Sequence, residues 1–133
     1  MTTTQEYVLL LHGDEAGWRD ADEAAIAEAY REHGEFSRLC AERGHEIVGG
    51  AELRLSETSL VVRRSGDAVQ VTEGPFTETV EQLGGFYQVR TADVRDLAEL
   101  AAMLVGTGAV EIRPVVPSSE QPDAALAGAE AAS

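Results

Sequence analysis

Apolar residues along the chain follow two different patterns, a continuous run and a helical repeat, and each pattern predicts one type of element. Residues 7–11 form an unbroken apolar run that ends shortly before a glycine, which is typical of a buried central strand. Residues 20–43 place their apolar side chains on one face at the period of an α-helix and contain no proline. Asp20 or Asp22 is expected to cap the start of this helix, and Gly44 is expected to follow its end. The chain is thus expected to begin with a strand and a long amphipathic helix.

Apolar and β-branched residues then recur in short segments that predict strands. These segments are residues 46–55, 59–64, 68–72, 86–90 and 109–113. Ser65-Gly66-Asp67 separates the second of them from the third, which is the sequence signature of a β-hairpin. Apolar positions between residues 94 and 104 follow the helical period and predict a second helix, capped by Thr91 or Asp93. The order is therefore β-α-β, a β-hairpin, and then β-α-β.

Without the hairpin this order is βαββαβ, so we predict an α+β, ferredoxin-like fold with an inserted β-hairpin. Two helices can cover only one face of the antiparallel sheet. The other face needs cover, and a second copy of the chain would supply it, so a homodimer is predicted. Residues 1–116 are expected to form this one domain. Residues 117–133 are rich in Ala, Ser, Pro and Glu and are expected to be disordered.

The charge balance narrows the classes of partner. The 133 residues include 24 acids and 10 bases, all of the bases are arginine, and the formal net charge is −14. A chain this acidic, with no basic cluster, is not expected to bind nucleic acid or an anionic membrane. Its apolar runs are too short for a signal peptide or a membrane span, so a cytoplasmic location is expected. Cys40 is the one cysteine, and its place in the helical pattern predicts a small buried residue rather than a nucleophile.

Acidic and hydroxyl side chains concentrate between residues 72 and 86, together with a Gly-Pro turn and a glycine pair. Long polar connections on a rigid scaffold are where binding or chemistry usually lies, so Glu73, Glu78 and Glu81 are candidate catalytic residues. Glu78 and Glu81 are three positions apart and would lie on the same side of one helical turn. A structural role is the alternative, in which the glycines and the proline set turns, Phe76 fills the core and the acids are exposed.

His33 lies near the centre of the apolar face of the long helix, where a leucine would be expected. An imidazole in an apolar pocket has a lowered pKa and stays neutral near pH 7, which suits a general base, while the alternative is a buried histidine with one structural hydrogen bond. A divalent cation between His33 and the carboxylates is a less favoured alternative, and no metal or cofactor is predicted. His45 follows a turn and is expected to be solvated. The candidate binding residues are His12, Asp14, Glu52 and Phe76.

The polar stretch also carries a resemblance to a known family. Glu73-Gly-Pro-Phe76, then Thr77-Glu-Thr79 and residues 81–86, resemble the signature of the DGPF-type branch of the YCII-related family, with Glu73 in place of the signature aspartate. Three further segments resemble other motifs of that family in the right order, so the resemblance covers about residues 7–116. These segments are residues 10–15, 49–53 and 110–115. The resemblance implies a dimeric α+β barrel built from ferredoxin-like protomers.

The resemblance implies a function only in outline. Related proteins hold a His–Asp pair in a pocket near the dimer interface, which implies a small-molecule ligand and an enzyme of undefined reaction, of the proton-transfer, lyase or isomerase type. His33 matches the histidine of the pair, but residues 105–108, where the aspartate is expected, contain no acid. A carboxylate from the polar stretch is the replacement that this sequence offers.

The alternative is a non-catalytic regulatory or protein-interaction module with a transcription-related partner. It follows from the resemblance, because family members occur beside or fused to alternative sigma factors. The acidic surface would suit a basic protein partner. The sequence leaves open whether the protein is an enzyme.

Overall fold

The computed structural model describes residues 3–122. Within that part of the chain the strands are β1 (Gln5–Asp14), β2 (Glu46–Glu52), β3 (Leu60–Ser65), β4 (Ala68–Glu73), β5 (Glu81–Thr91) and β6 (Ala109–Pro114). The α-helices are α1 (Glu15–Arg19), α2 (Glu23–Glu42) and α3 (Val94–Ala101), and 3-10 turns span Ser56–Thr58, Ala102–Leu104 and Ser118–Glu120. Of the tail that the sequence predicts to be disordered, residues 123–133 lie outside the described residues.

The main sheet is antiparallel, with the strand order β2-β5-β1-β6. β1 is therefore an interior strand, which confirms the prediction made from the apolar run at its centre. β1 and β5 pair along their whole length, from Gln5 opposite Thr91 to Asp14 opposite Glu81. An antiparallel sheet with helices packed on it is an α+β architecture consistent with the ferredoxin-like fold.

The long helix α2 begins and ends where its capping residues predict. Asp22 accepts a hydrogen bond from the Ala25 N–H at 2.8 Å, and Gly44 follows the helix with a positive φ of 84° that favours glycine. The short helix α1 is not predicted by the sequence. Asp14, the last residue of β1, starts it by accepting the Ala16 N–H at 2.9 Å. None of the helices in residues 3–122 is long and apolar enough to span a membrane.

One hydrophobic core lies between the main sheet and the helices. Leu9 and Val89 contribute from the sheet, Phe36 and Cys40 from α2, and Leu97 from α3, and all five side chains are fully buried. The prediction that Cys40 is a small buried residue is confirmed. Since Leu9 and Val89 point toward the helices, the alternate positions of β1 and β5 point to the opposite face of the sheet.

A buried polar cluster joins the end of α2 to β5 and α3. The side chain of His45 is 2% exposed, with Nδ1 2.7 Å from Thr91 Oγ1 and Nε2 2.7 Å from Asp96 Oδ2. Arg43 forms an ion pair with the other oxygen of Asp96. The prediction that His45 is solvated is therefore wrong, because the turn after α2 directs its ring inward to two polar partners.

β3 and β4 pair with each other as a separate two-stranded sheet, with Val62 opposite Val71. The Gly74 N–H donates to the Ser59 carbonyl at 2.9 Å and closes the base of the pair. One face of this sheet carries apolar side chains that are each more than half exposed. They are Leu60, Val62, Val69 and Val71.

The loop in the polar stretch (residues 72–86) is shorter than the sequence predicts. Residues 81–85 belong to β5, which leaves only residues 74–80 outside strands. The expected helical turn that would place Glu78 beside Glu81 is absent from these residues, so that expectation is wrong. The Gln82 side chain donates to the carbonyls of Thr77 at 2.8 Å and Thr79 at 3.0 Å instead. These bonds hold the connection against the start of the strand.

Candidate functional site

A cavity of about 510 Å³ opens beside the C-terminal end of β1, between helices α1 and α2 and the paired ends of β2 and β5. This volume suits a small organic molecule. Aromatic side chains form much of its wall, supplied by Trp18, Tyr30 and Tyr87. Aliphatic side chains complete the apolar lining, among them Leu11, Leu53 and Leu104.

The structure brings four of the predicted site residues together in this cavity. His33 enters from the middle of α2, His12 and Asp14 from the end of β1, and Glu52 from the end of β2. The C-terminal ends of β1 and β2 and the middle of α2 thus meet at one end of the main sheet.

His33 is held by a tyrosine of the neighbouring strand. Its Nδ1 lies 2.6 Å from Tyr87 Oη, and the two rings are tilted with centroids 5.8 Å apart. Partial burial lowers the pKa of His33, although the charges of Glu32 and Glu52 oppose this effect. Burial likewise raises the pKa of Tyr87, so both rings are neutral at pH 7. His33 is thus a neutral, oriented imidazole in the cavity wall.

Gly50, in the glycine pair of β2, makes room for Tyr87. A Cβ atom on Gly50 would lie 2.5 Å from the Phe86 carbonyl oxygen and 3.2 Å from Tyr87 Cδ1, and the φ of Gly50 is +150°. A Cβ on Gly49 would meet only the Gln88 side chain, whose flexible end can shift. Gly50 is therefore the position that lets β2 approach β5 closely while the Tyr87 ring lies beside it and reaches α2.

A second tyrosine links α2 to β2 across the cavity. Tyr30, one turn before His33, donates its hydroxyl proton to Glu52 Oε1 at 2.6 Å, and this bond raises the pKa of Tyr30. Trp18 meets the Tyr30 ring edge-on, with centroids 6.4 Å apart and planes at 73°. The aromatic wall is thus fixed by a carboxylate at one end and by a ring contact at the other.

The remaining acids near the cavity are engaged in structural bonds. Asp14 caps α1, and its own N–H donates to Thr107 Oγ1 at 2.9 Å. Glu15 accepts both the Ser56 N–H and the Ser56 hydroxyl at 2.6 Å, which fastens the 3-10 turn after β2 to α1. His12 Nε2 lies 3.5 Å from Glu111 Oε1, on the side of β6.

The candidate acids of the polar stretch are not brought to His33. Glu73, Glu78 and Glu81 are exposed, and none of them lines the cavity. Phe76 is 73% exposed and lies beneath the Arg63 guanidinium, which is 5.4 Å from its ring centroid. The stretch reaches the cavity through other residues, namely Gln82, Gly84, Gly85 and Phe86.

Sequence reasoning missed several residues of the cavity. Tyr30 could have been found, because it lies three positions before His33 on the same helix face. Trp18, which lies in the short helix α1 that the sequence does not predict, lines the cavity and is 38% exposed. Tyr87 and Arg54 carry no signal in their neighbouring residues, because they reach the cavity only through the pairing of β2 with β5.

The fold and the site define a small α+β domain with an aromatic, ligand-sized cavity at one end of its main sheet. The chain belongs to the YCII-related family, since the sequence model of the YCII-related domain matches residues 6–119. It is also similar to an uncharacterised protein of Rhizobium meliloti (strain 1021). The two are 28% identical over 116 residues, which cover 82% of this chain and 90% of that protein.

Proposed function

We propose that this protein binds a small molecule in the cavity beside His33 and transfers a proton to or from it. The observation that carries the proposal is the bond between His33 Nδ1 and Tyr87 Oη at the wall of a cavity of about 510 Å³. Many reactions of the lyase or isomerase type include such a transfer at a carbon or oxygen of the substrate. Neither a metal nor a cofactor enters this proposal.

The imidazole would act through Nε2. When the proton of the neutral ring is on Nδ1, that N–H donates to Tyr87 Oη and Nε2 keeps a free lone pair. Since burial lowers the pKa of His33, the lone pair is available at pH 7. Glu52, whose charge acts on His33, would stabilise the imidazolium as it forms. Glu52 then takes the part that the sequence assigns to the acids of the polar stretch.

A ligand screen by thermal shift tests the binding step. Compounds that raise the melting temperature of the wild type are expected to lose most of this effect in His33→Gln and part of it in Tyr87→Phe. Glu78→Gln is the matched control, because this residue is exposed and lies outside the cavity lining. If His33→Gln is stabilised by every compound as well as the wild type is, His33 has no part in the site.

We also propose that the protein is a homodimer in which two main sheets pack face to face, as in a dimeric α+β barrel. Val8, Leu10 and Phe86 occupy the alternate positions of β1 and β5, opposite the face that the helices cover, and Leu10 pairs directly with Phe86. An apolar sheet face of this kind is stable when another layer covers it. A second copy of the chain would cover this face with its own main sheet.

Light scattering after size exclusion tests this assembly. The wild type is expected to elute at twice the mass of 14.2 kDa, and Leu10→Glu is expected to elute as a monomer. Val62→Glu places the same charge on the exposed face of the β3–β4 sheet and is expected to leave the dimer intact. A monomeric wild type at high concentration contradicts the proposal, and a monomer from Val62→Glu alone moves the interface to that sheet.

One observation favours a second function. The apolar face of β3–β4, with Phe76 and Val80 each more than 70% exposed nearby, is a surface that a protein partner could cover. On this alternative the chain is a regulatory module linked to sigma-factor transcription regulation, as its likeness to the DGPF-type branch implies. The test is binding of a purified sigma factor to the wild type, Leu60→Ser and His33→Gln. Loss of binding in Leu60→Ser and unchanged binding in His33→Gln would favour this function over the first.

A further inference from the structure

Arg54 lies at the cavity and forms no ion pair with any residue between positions 3 and 122. Most arginines in residues 3–122 lie within 4.0 Å of a carboxylate, as expected for an acidic chain. They are Arg19, Arg31, Arg38, Arg43, Arg90 and Arg113. Arg54 forms no ion pair or side-chain hydrogen bond with the described residues, although Glu52 is two positions before it.

The backbone holds Arg54 at the rim of the cavity. The N–H of Leu53, the preceding residue, donates to the Gly84 carbonyl at 2.9 Å and so continues the pairing of β2 with β5. Arg54 lines the cavity on one side and an adjoining cleft of about 480 Å³ on the other. Trp18 and Tyr30 also line both spaces, so a ligand that lies against this aromatic pair has the guanidinium within the same wall.

The acids of the cavity already have donors, whereas Arg54 has no side-chain acceptor within the described part of the chain. Asp14 accepts from Ala16, Glu15 accepts two bonds from Ser56, and Glu52 accepts from Tyr30. A guanidinium offers five N–H donors in a planar fork that matches a carboxylate. Arg54 is exposed, so water solvates its guanidinium in the free protein, and an anionic group of a ligand bound in the cavity would replace that water.

We propose that the ligand is a monocarboxylate whose acid group pairs with Arg54 and whose apolar or aromatic body lies against Trp18 and Tyr30. This inference rests on the proposed small-molecule function and names its ligand class. A single negative charge fits better than a phosphate dianion, because one arginine faces the ligand while Asp14, Glu15 and Glu52 make the surroundings negative. His33 lines the same cavity, and the length of the acid decides which of its carbon atoms lies next to the imidazole.

The fluorescence of Trp18 measures binding directly, since it is the one tryptophan of the chain and lines the cavity. The probes are phenylacetate, its uncharged isostere phenylacetamide, and the cation phenethylamine, each titrated to millimolar concentration into the full chain. Phenylacetate is expected to bind most tightly, with an affinity that falls as salt is added. Arg54→Gln is expected to weaken the binding of phenylacetate by about tenfold or more and to leave the affinity for phenylacetamide unchanged.

Arg95→Gln is the matched control, because Arg95 on α3 is exposed, lies outside the cavity and has no ion pair with the described residues. It is expected to bind phenylacetate as the wild type does, and far-UV circular dichroism checks that both variants are folded. Equal binding of acid and amide, or tightest binding of the amine, overturns the carboxylate inference and leaves the cavity as a binding site. If no probe changes Trp18 fluorescence, the carboxylate inference falls, and the thermal-shift screen with His33→Gln decides the binding function on its own.

Discussion

His33 Nδ1 lies 2.6 Å from Tyr87 Oη, although the two residues are 54 positions apart in the chain. The bond exists because α2 packs across β5, with Phe36 touching the same tyrosine at a ring separation of 5.3 Å. Core packing and site geometry therefore share one side chain. A change that moves Tyr87 is expected to alter both the stability of the domain and the orientation of the imidazole.

The protonation of His33 is expected to make stability depend on pH. Its pKa in the folded protein is below the ordinary value of 6.5, because burial disfavours the charged ring. Its contribution is therefore complete above about pH 6.5 and is lost as the pH falls toward the folded pKa, because the unfolded chain then binds the proton more readily. NMR titration of the ring and the stability difference between wild type and His33→Gln from pH 8 to pH 5 measure this effect. A titration midpoint above 6.5 contradicts the burial argument.

Replacing Gly50 by alanine is expected to destabilise the protein by about 2–3 kcal/mol. The new Cβ would meet the Phe86 carbonyl and Tyr87, and alanine is strained at a φ of +150°. Gly34→Ala is the control, since no atom lies within 4 Å of its added Cβ and the residue is inside α2. This control is expected to gain about 0.5–1 kcal/mol, because alanine favours helix. Urea unfolding of both variants provides the measurement, and equal effects of the two substitutions would contradict the close approach of β2 to β5.

The Cys40 thiol is expected to be unreactive in the folded protein. Burial raises its pKa to about 11, so the thiolate is scarce at pH 8 and reagent cannot reach it. Ellman's reagent should release colour from the native protein only at the rate of unfolding, and at once in concentrated urea. Because Cys40 is the one cysteine of the chain, the signal has a single source. Rapid labelling of the native protein would show that α2 opens away from the sheet.

His45→Ala is expected to cost about 2–3 kcal/mol, because it leaves Thr91 and Asp96 without their buried partner. His12→Ala is the comparison, because His12 is partly exposed and lies at a longer distance, 3.5 Å, from its acidic neighbour Glu111. That change is expected to cost less than about 1 kcal/mol. Thermal unfolding at pH 7 measures both. A similar loss in the two variants would mean that the cluster around His45 adds little to stability.

Much of the fold could be predicted because its signals are local. Asp22 and Gly44 mark the ends of α2 by chemistry that acts within a few residues, and the interior position of β1 follows from its apolar run. The start of β5 could not be predicted in this way. Residues 81–85 are polar and glycine-rich, and they become a strand because β1 pairs with them, while β2 reaches only Gly85 from the other side.

The strongest site signal in the sequence is a residue that breaks its local pattern. His33 stands out because it occupies a leucine position on an apolar helix face. The acids Glu73, Glu78 and Glu81 stand out by their density, but pairing of the strands sets where such side chains point, and these remain exposed. Arg54 has an ordinary local sequence, and its importance follows only from its place between two cavities and from the absence of an acidic partner among the described residues.

The closure of β3–β4 at its base has a consequence for engineering the chain. The Ser59 carbonyl and the Gly74 N–H are one hydrogen bond apart, so the segment between them leaves and re-enters the domain at a single point. A two-residue turn could bridge that gap without moving the main sheet or the cavity wall. The segment is thus a natural site at which to graft a tag, a reporter or another binding loop.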